Sequence, residues 1–340
     1  MSTNKLASVQ ELHTLLDLIV DPSNGQTLKD NQAIKHLSIN DETDLVTVIV
    51  TMTSLKEPEE TQLKREIAKA VKITGGHKGL RLQLEEAKVF GSITKQKTSF
   101  IGIISGKGGV GKSSVSANIA YRMMKRGLKV GMIDADIYGS SLPTILNMEH
   151  QNPRYDSDMK ILPLVKDNIE VISTEFFTDP SQPVIWRGAM LNSMLGHFFY
   201  DVKWRDHTDY VIIDFPPGTG DITLDVKNIV PQTKMILVTT PHLSASHVSV
   251  KAGHAANKLG HEIMGVIENM SYYVNPVNNE HEYLFGTGGG DAVAKDLDTE
   301  VIAKIPLGRP RNNTDLFEID EPIGKIYDDI VDFIILKNSK

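Results

Sequence analysis

Ser99–Ser114 reads SFIGIISGKGGVGKSS. Phe100, Ile101, Ile103 and Ile104 form a short apolar run with the character of a buried strand. Behind it, Gly106, Lys107, Gly108, Gly109, Val110, Gly111, Lys112 and Ser113 fill every position of the pattern GxxxxGK[ST]. Strand, glycine-rich turn and following helix make a phosphate-binding loop. Glycines bring the backbone within hydrogen-bond distance of phosphate oxygens, where a Cβ would intrude, and successive N–H groups point into one concavity. Lys112 is placed to reach the β- and γ-phosphates as a point charge and Ser113 to give its hydroxyl to Mg²⁺; Ser114 completes the binding set. The helix that starts here turns its positive end toward the anion.

Downstream of the loop, strands alternate with helices. The first helix carries Val115, Ile119 and Met123 on one face and stops at Gly127, after which Val130–Asp134 (VGMID) is a second strand. Tyr210–Phe215, Met235–Thr239, Ile263–Ile267 and Val301–Ile305 are further buried runs, with helices expected around Ser244–Leu259 and Asp291–Leu297. This alternation predicts an α/β fold, a mostly parallel sheet with helices on both faces. A last helix, Ile323–Leu336, puts Ile323, Ile326, Tyr327, Ile330, Phe333 and Ile334 on one side and Asp328, Asp329 and Asp332 on the other. An acidic face argues for core packing rather than an anionic membrane surface.

Upstream, Val9, Leu12, Leu15, Leu16 and Ile19 share a helical face that Asp21–Pro22 closes. Ala33–Ile39 and the β-branched Leu45–Thr53 read as strands, with hairpin composition over Asn40–Asp44. Pro58 opens a second helix bearing Leu63, Ile67, Ala70 and Val71, ended by Gly75–Gly76; Leu80, Leu82 and Leu84 then alternate as a strand. Residues 1–88 are therefore expected to form a small α+β domain, 89–98 a linker whose polar part is Gly91–Thr98, and 99–340 the phosphate-loop domain.

The bulk composition agrees with two soluble domains: 340 residues, 40% apolar and 23% charged, with a net charge of −7 that gives no general basic surface for nucleic acid. Cysteine is absent, which excludes disulfides, thiolate metal sites and cysteine nucleophiles. The amino terminus lacks a signal-peptide core and no apolar run approaches the length of a membrane span, so a cytoplasmic location without a membrane partner is expected.

Acidic residues at strand ends manage metal and water in phosphate-loop enzymes. Asp214, after the run YVIID, is placed to hold Mg²⁺ through a water, Asp136 to orient the attacking water, and Pro216–Pro217–Gly218 to sense the γ-phosphate.

GKGGVGKSS, DADIYGSSLP, VIWRGAM, DFPPGTGD, ENMSYY and FGTGGG, in this order and spacing, resemble the Mrp/ApbC family of nucleotide-binding proteins over nearly the whole chain. The resemblance implies an ATPase of the deviant phosphate-loop group and, for residues 1–88, a domain related to iron–sulfur assembly factors. It implies that Lys107 crosses to the nucleotide of the other subunit in an ATP-sandwich homodimer, and that Asn269 recognises the adenine ring. Carriers of this family place a C-x-x-C just after ENMSYY to bridge an iron–sulfur cluster. Here Asn275 and Asn278 stand at those positions, and His281 lies nearby. Carboxamides are poor cluster ligands, and Asn275–Pro276 reads as a turn. The segment TSLKEPEE likewise lacks the cysteine its relatives often have.

Two functions follow. One is an ATPase of the cluster-carrier family, acting on iron–sulfur client proteins, that has kept the nucleotide machinery without the usual cluster ligands. The other is an ATP-switched regulator or scaffold presenting a surface to DNA or to a protein. Arg122, Lys125, Arg126 and Lys129 are candidates for a DNA patch, or simply a charged helix end.

Overall fold

In Leu45–Met52 every second residue, Val46, Val48, Val50 and Met52, is fully buried while the residues between are half-buried. That is the period-two pattern of a strand covered on one face. The computed structural model describes residues 6–22, 25–31, 33–40, 43–52, 57–86, 98–137, 139–178, 188–218, 221–312 and 314–338. The chain divides into two compact units after Val89.

In the first unit Leu45–Met52 is the centre of a three-stranded sheet, antiparallel to Ile34–Asn40 and parallel to Gly79–Glu86. A parallel neighbour needs a crossover. Helix Glu57–Ala68 supplies it and continues as a π-helical turn, Lys69–Thr74. Leu63, Ile67 and Val71 from the crossover, with Leu12 and Leu16 from helix Val9–Asp17, close the core. The first helix starts at a capping box: Ser8 Oγ accepts from Glu11 N at 3.3 Å, and Ser8 N donates to Glu11 Oε2 at 2.7 Å. It ends at Asp17, short of the expected Ile19, because Val20 leaves to pair with Thr27 in an antiparallel bridge.

In the second unit one sheet runs in the order Val301–Lys304, Glu262–Glu268, Lys234–Thr239, Ser99–Ser105, Tyr210–Asp214, Val130–Asp134, Ile169–Ser173 and Leu164–Lys166. All neighbours are parallel except the last pair. Ser99–Ser105 is central, and its apolar run is buried on both sides, as a parallel strand between two helical layers must be. Ile101 and Ile103 face helices Lys112–Lys125 and Pro322–Asn338, through Val115, Ile119, Met123, Ile330 and Ile334. Phe100 and Ile104 face the other layer, in which Leu195, Phe198, Val226, Ala256 and Val293 come from helices Gly188–Tyr200, Asp221–Ile229, Leu243–Lys258 and Gly289–Asp296.

Two differences from the sequence expectations have physical causes. The edge hairpin 164–173 was not foreseen. It turns at Asp167–Asn168, both left-handed (φ 46° and 63°), the two-residue turn that suits strand twist. Thr98, assigned to the linker, is buried and donates to Thr208 O at 2.7 Å, so it packs as part of the second unit; residues 89–97 lie outside the described residues.

The carboxylates of the last helix are not simply solvated. Asp328 accepts from Arg122 at 3.0 Å and from Arg126 at 2.6 Å, and Asp332 from Arg126 at 2.5 Å. Lys125 lies 3.6 Å from Glu318, and Lys129 Nζ donates to Asp206 O at 3.2 Å. Asn118 completes the clamp, donating to Ser114 O and Asp315 O (2.9 and 3.0 Å) and accepting from Phe317 N (2.9 Å). The candidate DNA patch is thus the charged end of the loop helix bound to the acidic carboxy-terminal helix.

Asp328→Ala leaves the buried Arg122 guanidinium without its carboxylate, a class of change that costs several kcal/mol when fully buried. With Asp328 partly exposed, a loss of roughly 2–3 kcal/mol is expected. It should appear as a lower urea midpoint at unchanged slope; an unchanged midpoint would remove the clamp from the account of stability.

Candidate functional site

The loop leaves the central strand at Ser105 and re-enters regular structure at Lys112, where Gly111 caps the helix in the left-handed region (φ 84°). Gly109 is also left-handed (φ 80°). Gly106 is glycine for a different reason: a Cβ there would lie 2.4 Å from Ser249 N, against the backbone of helix Leu243–Lys258. Val110 drives its side chain into the core and anchors the loop from below. Above the loop is a cleft of about 690 Å³, lined by Lys107 to Ser114 and, on the opposite wall, by Asp136, Ser141, Pro216 and Pro217. Gly218 N donates to Ser105 O at 2.8 Å, which fixes the Pro-Pro-Gly turn to the base of the loop.

Parallel register brings two carboxyl groups to the strand ends side by side, Asp214 opposite Asp134. Asp214 is fully buried. Its Oδ2 accepts from Ser113 Oγ at 2.5 Å and Lys112 Nζ at 2.8 Å, and its Oδ1 from Ser116 Oγ at 2.7 Å. Lys112 Nζ also lies 3.6 Å from Asp136 Oδ2. Lys112 is therefore the counter-ion of a buried carboxylate. Asp136 accepts from Gly139 N at 3.2 Å, and burial pushes its pKa up against the pull of Lys112. The Ser113 hydroxyl and Asp214 carboxylate are hard oxygen donors in contact with each other at the loop, a donor set that suits Mg²⁺.

Asp134 was quoted in the sequence without a role. Its Oδ2 accepts from Ser140 Oγ at 2.7 Å and Ser173 Oγ at 3.2 Å, while its buried Oδ1 has no partner. Burial first, then the charge of Asp214, pushes its pKa up to about 7. Ser116 was also missed, although its place one helical turn after Lys112 and Ser113 marks it.

The remaining candidates lie around this cluster. Lys107 sits at the rim, Nζ donating to Ser244 Oγ at 3.2 Å. Asn269 is buried behind the loop and donates from Nδ2 to Val110 O at 2.9 Å. Asn275 and Asn278 lie in a hairpin between Tyr273–Val274 and His281–Glu282. Asn275 caps Val277 N and reaches Glu282, and Asn278 caps Glu280 N and reaches Glu280 Oε2, so both carboxamides serve the turn. The His281 ring stacks on Tyr272 at 4.2 Å. Among the described residues no group of three or more histidine and carboxylate side chains is arranged to hold a metal ion. No described helix is long and apolar enough to cross a membrane. Residues 53–56, Tyr138, 184–187, Thr219 and Gly220, from the quoted motifs, lie outside the described residues.

Comparison with known proteins bears on this site. Residues 96–329 match the profile of a family described as ParA, NUBPL iron-transfer P-loop NTPase. An iron-sulfur cluster carrier protein of Bacillus subtilis is 39% identical, over 97% of this chain and 98% of that protein. One of Synechocystis is 34% identical, over 86% and 85%. Among solved structures, a nucleotide-binding protein of Archaeoglobus fulgidus in complex with ADP superimposes with a TM-score of 0.53 at 28% identity, covering 71% of this chain and 91% of that one. The septum site-determining protein MinD of Pyrococcus horikoshii, complexed with Mg-ADP, shares the fold at 20% identity and a TM-score of 0.50, over 70% and 96%.

The Asp134 carboxyl yields a pH prediction. Its folded pKa, about 7, lies above the ordinary value of 3.8, so between these values the folded chain binds more protons than the unfolded one. Stability is greatest at the acid end of that window and falls as pH rises through it, the penalty being complete above about 7. Asp134→Asn keeps the acceptor for Ser140 and Ser173 and removes the ionisation. Between pH 5 and 8, without nucleotide and in EDTA, it should gain on the wild type by roughly 2–3 kcal/mol. Denaturant melts at the two pH values measure this, and parallel pH dependences would contradict it.

Proposed function

The chain belongs to the NUBPL iron-transfer P-loop NTPase family, and from that premise we propose that it is an Mg²⁺-dependent ATPase of cytoplasmic iron–sulfur metabolism that has kept the nucleotide machinery without the family's thiolate ligands for the cluster. The observation that carries this reading is the convergence of Lys112, Ser113 and Asp136 on one cleft, with Asp214 buried in contact with Lys112 and Ser113, against the use of Asn275 and Asn278 as turn caps.

In this mechanism the loop amides and Lys112 bind the β- and γ-phosphates, and Lys112 exchanges its carboxylate partner for the phosphates as they enter. Ser113 and Asp214 hold Mg²⁺, which when bound supplies positive charge to the phosphate oxygens. Asp136, across the cleft, orients the attacking water; the burial that raises its pKa also makes it a better proton acceptor than an exposed aspartate. Pro216 and Pro217 face the end of the nucleotide and respond to the γ-phosphate. Among the described residues the Lys107 ammonium bonds a rim hydroxyl, a contact it can give up to reach a second subunit's nucleotide, so that ATP draws two copies together. The cluster, if carried at all, is cargo that needs other ligands, and the partners are client proteins. A DNA surface finds no support in Arg122, Arg126 or Lys125, whose charges are met by Asp328, Asp332 and Glu318.

One preparation tests the core of the proposal. Handled without oxygen and supplied with iron and sulfide, the chain should hold less than one cluster per dimer while releasing phosphate from ATP, release that EDTA stops. Asp136→Ala should still bind ATP but release little phosphate. A stable stoichiometric cluster in the visible spectrum and iron count would refute the ligand argument, and equal loss of binding and turnover in Asp136→Ala would refute the role given to that residue.

The assembly step is tested separately by sedimentation in the Asp136→Ala background. Each charge-assisted contact contributes about 1.5–3 kcal/mol and symmetry supplies two, so ATP should tighten the dimer on the order of a hundredfold relative to ADP. Lys107→Ala should abolish that difference with little change in the affinity of the monomer for ATP. A dimer constant indifferent to the γ-phosphate would return Lys107 to an ordinary rim lysine.

A further inference from the structure

The loop that carries Asp136 is fastened by Ser140. Strands Tyr210–Asp214, Val130–Asp134 and Ile169–Ser173 run in parallel register, so Asp214, Asp134 and Ser173 stand in a row at their ends. From Asp134 the chain runs out through Asp136 and comes back at Gly139 to enter the short helix Leu142–Ile145. On the return Ser140 sets its hydroxyl against that row. Its Oγ donates to Asp134 Oδ2 at 2.7 Å and shares a hydrogen bond of 2.6 Å with Ser173 Oγ. Ser173 Oγ is itself fixed, 3.2 Å from Asp134 Oδ2 and accepting from Glu175 N at 3.3 Å.

The residue next to this anchor touches Asp136. Among the described residues two groups bond the Asp136 carboxyl: Gly139 N donates to Oδ1 at 3.2 Å, and Lys112 Nζ lies 3.6 Å from Oδ2. Once Lys112 turns to the phosphates, the Gly139 N–H is the partner left to aim the carboxyl. Gly139 is exposed and has no side chain of its own to hold it, so its backbone needs an anchor from a neighbour. Consecutive Cα atoms are only about 3.8 Å apart, and the hydroxyl of Ser140 is the anchor at that distance. Gly139 and Ser141, on either side of it, both line the cleft with Asp136.

We propose that Ser140 is a positioning residue for hydrolysis: bonded to Asp134 and Ser173, it fixes the Gly139 N–H and through it the Asp136 carboxyl. The inference rests on the reading of Asp136 as the group that orients the attacking water. Its consequence is a loss of turnover that requires Asp136 and leaves nucleotide binding alone.

A double-mutant cycle in the full chain tests this, with phosphate release from Mg·ATP giving kcat and KM and titration calorimetry giving ATP affinity. Ser140→Ala should lower kcat by about three- to tenfold, the worth of one neutral hydrogen bond, with KM and ATP affinity unchanged. Ser140→Thr keeps the hydroxyl and should turn over at the wild-type rate. In the Asp136→Ala background, Ser140→Ala should cause no further fall in the residual rate, since the group it acts through is gone. General damage to the fold would instead slow both backgrounds by the same factor. Equal losses in the two backgrounds, a Ser140→Thr as slow as Ser140→Ala, a loss of ATP affinity at unchanged kcat, or wild-type turnover in Ser140→Ala would each overturn the inference and leave the role of Asp136 standing. Wild-type turnover in Asp136→Ala alone overturns that role, and the inference with it.

Discussion

The burial of Asp214 constrains everything around it. A carboxylate with no solvent exposure, in register with a second carboxyl on the next strand, is tolerable only if its charge is met at short range. Lys112, Ser113 and Ser116 meet it, all from the first turns of the helix that follows the phosphate loop. The pairing fixes where that helix starts relative to the sheet, and so where the loop's amides point. It also leaves Lys112 poised between Asp214 and Asp136, the two acidic groups given different tasks in turnover. Burial and the charge of Asp214 push the pKa of Asp134 up, so it takes up a proton more readily than an exposed aspartate where three carboxyl groups share one small volume.

The other end of the same helix is held as firmly. Asn118 ties it to the Asp315–Phe317 segment, and Arg122 and Arg126 tie it to the carboxy-terminal helix. A phosphate loop gains selectivity from not having to rearrange when the anion arrives, and a helix fixed along its length is the physical means to that. The basic residues that suggest a nucleic-acid surface in the sequence are the cations of this clamp.

The hairpin 273–282 is held by its own carboxamides. Its asparagines occupy the positions where cluster-carrying relatives of the resembled family have thiolates, yet they are not idle: each caps a backbone N–H of the turn. An Asx cap stabilises a turn and offers iron nothing comparable to a thiolate. The fold of the carrier is thus compatible with either chemistry at this tip, and the residue types decide between them.

How much of this was legible beforehand depends on the range of the interaction. The phosphate loop could be read because its requirements are local: glycine dihedrals, a lysine and a serine at fixed spacing, an apolar strand before and an amphipathic helix after. Buried parallel strands could be read for the same reason, since Ser99–Ser105, Val130–Asp134 and Lys234–Thr239 are apolar almost throughout. The edge hairpin escaped because Leu164–Lys166 is short and only half-covered, although its Asp-Asn turn was visible in the sequence. What only the tertiary structure decided are meetings between residues far apart in the chain: Asp134 beside Asp214, Arg126 on Asp328, and Asn269 on Val110. Strand order sets the first, helix packing the second, and the neighbourhood of two strand ends the third. The sequence by itself determined the kind of anion site this protein has; the packing of the sheet determined which carboxyl groups meet, which cations are engaged, and which amide bonds the back of the loop.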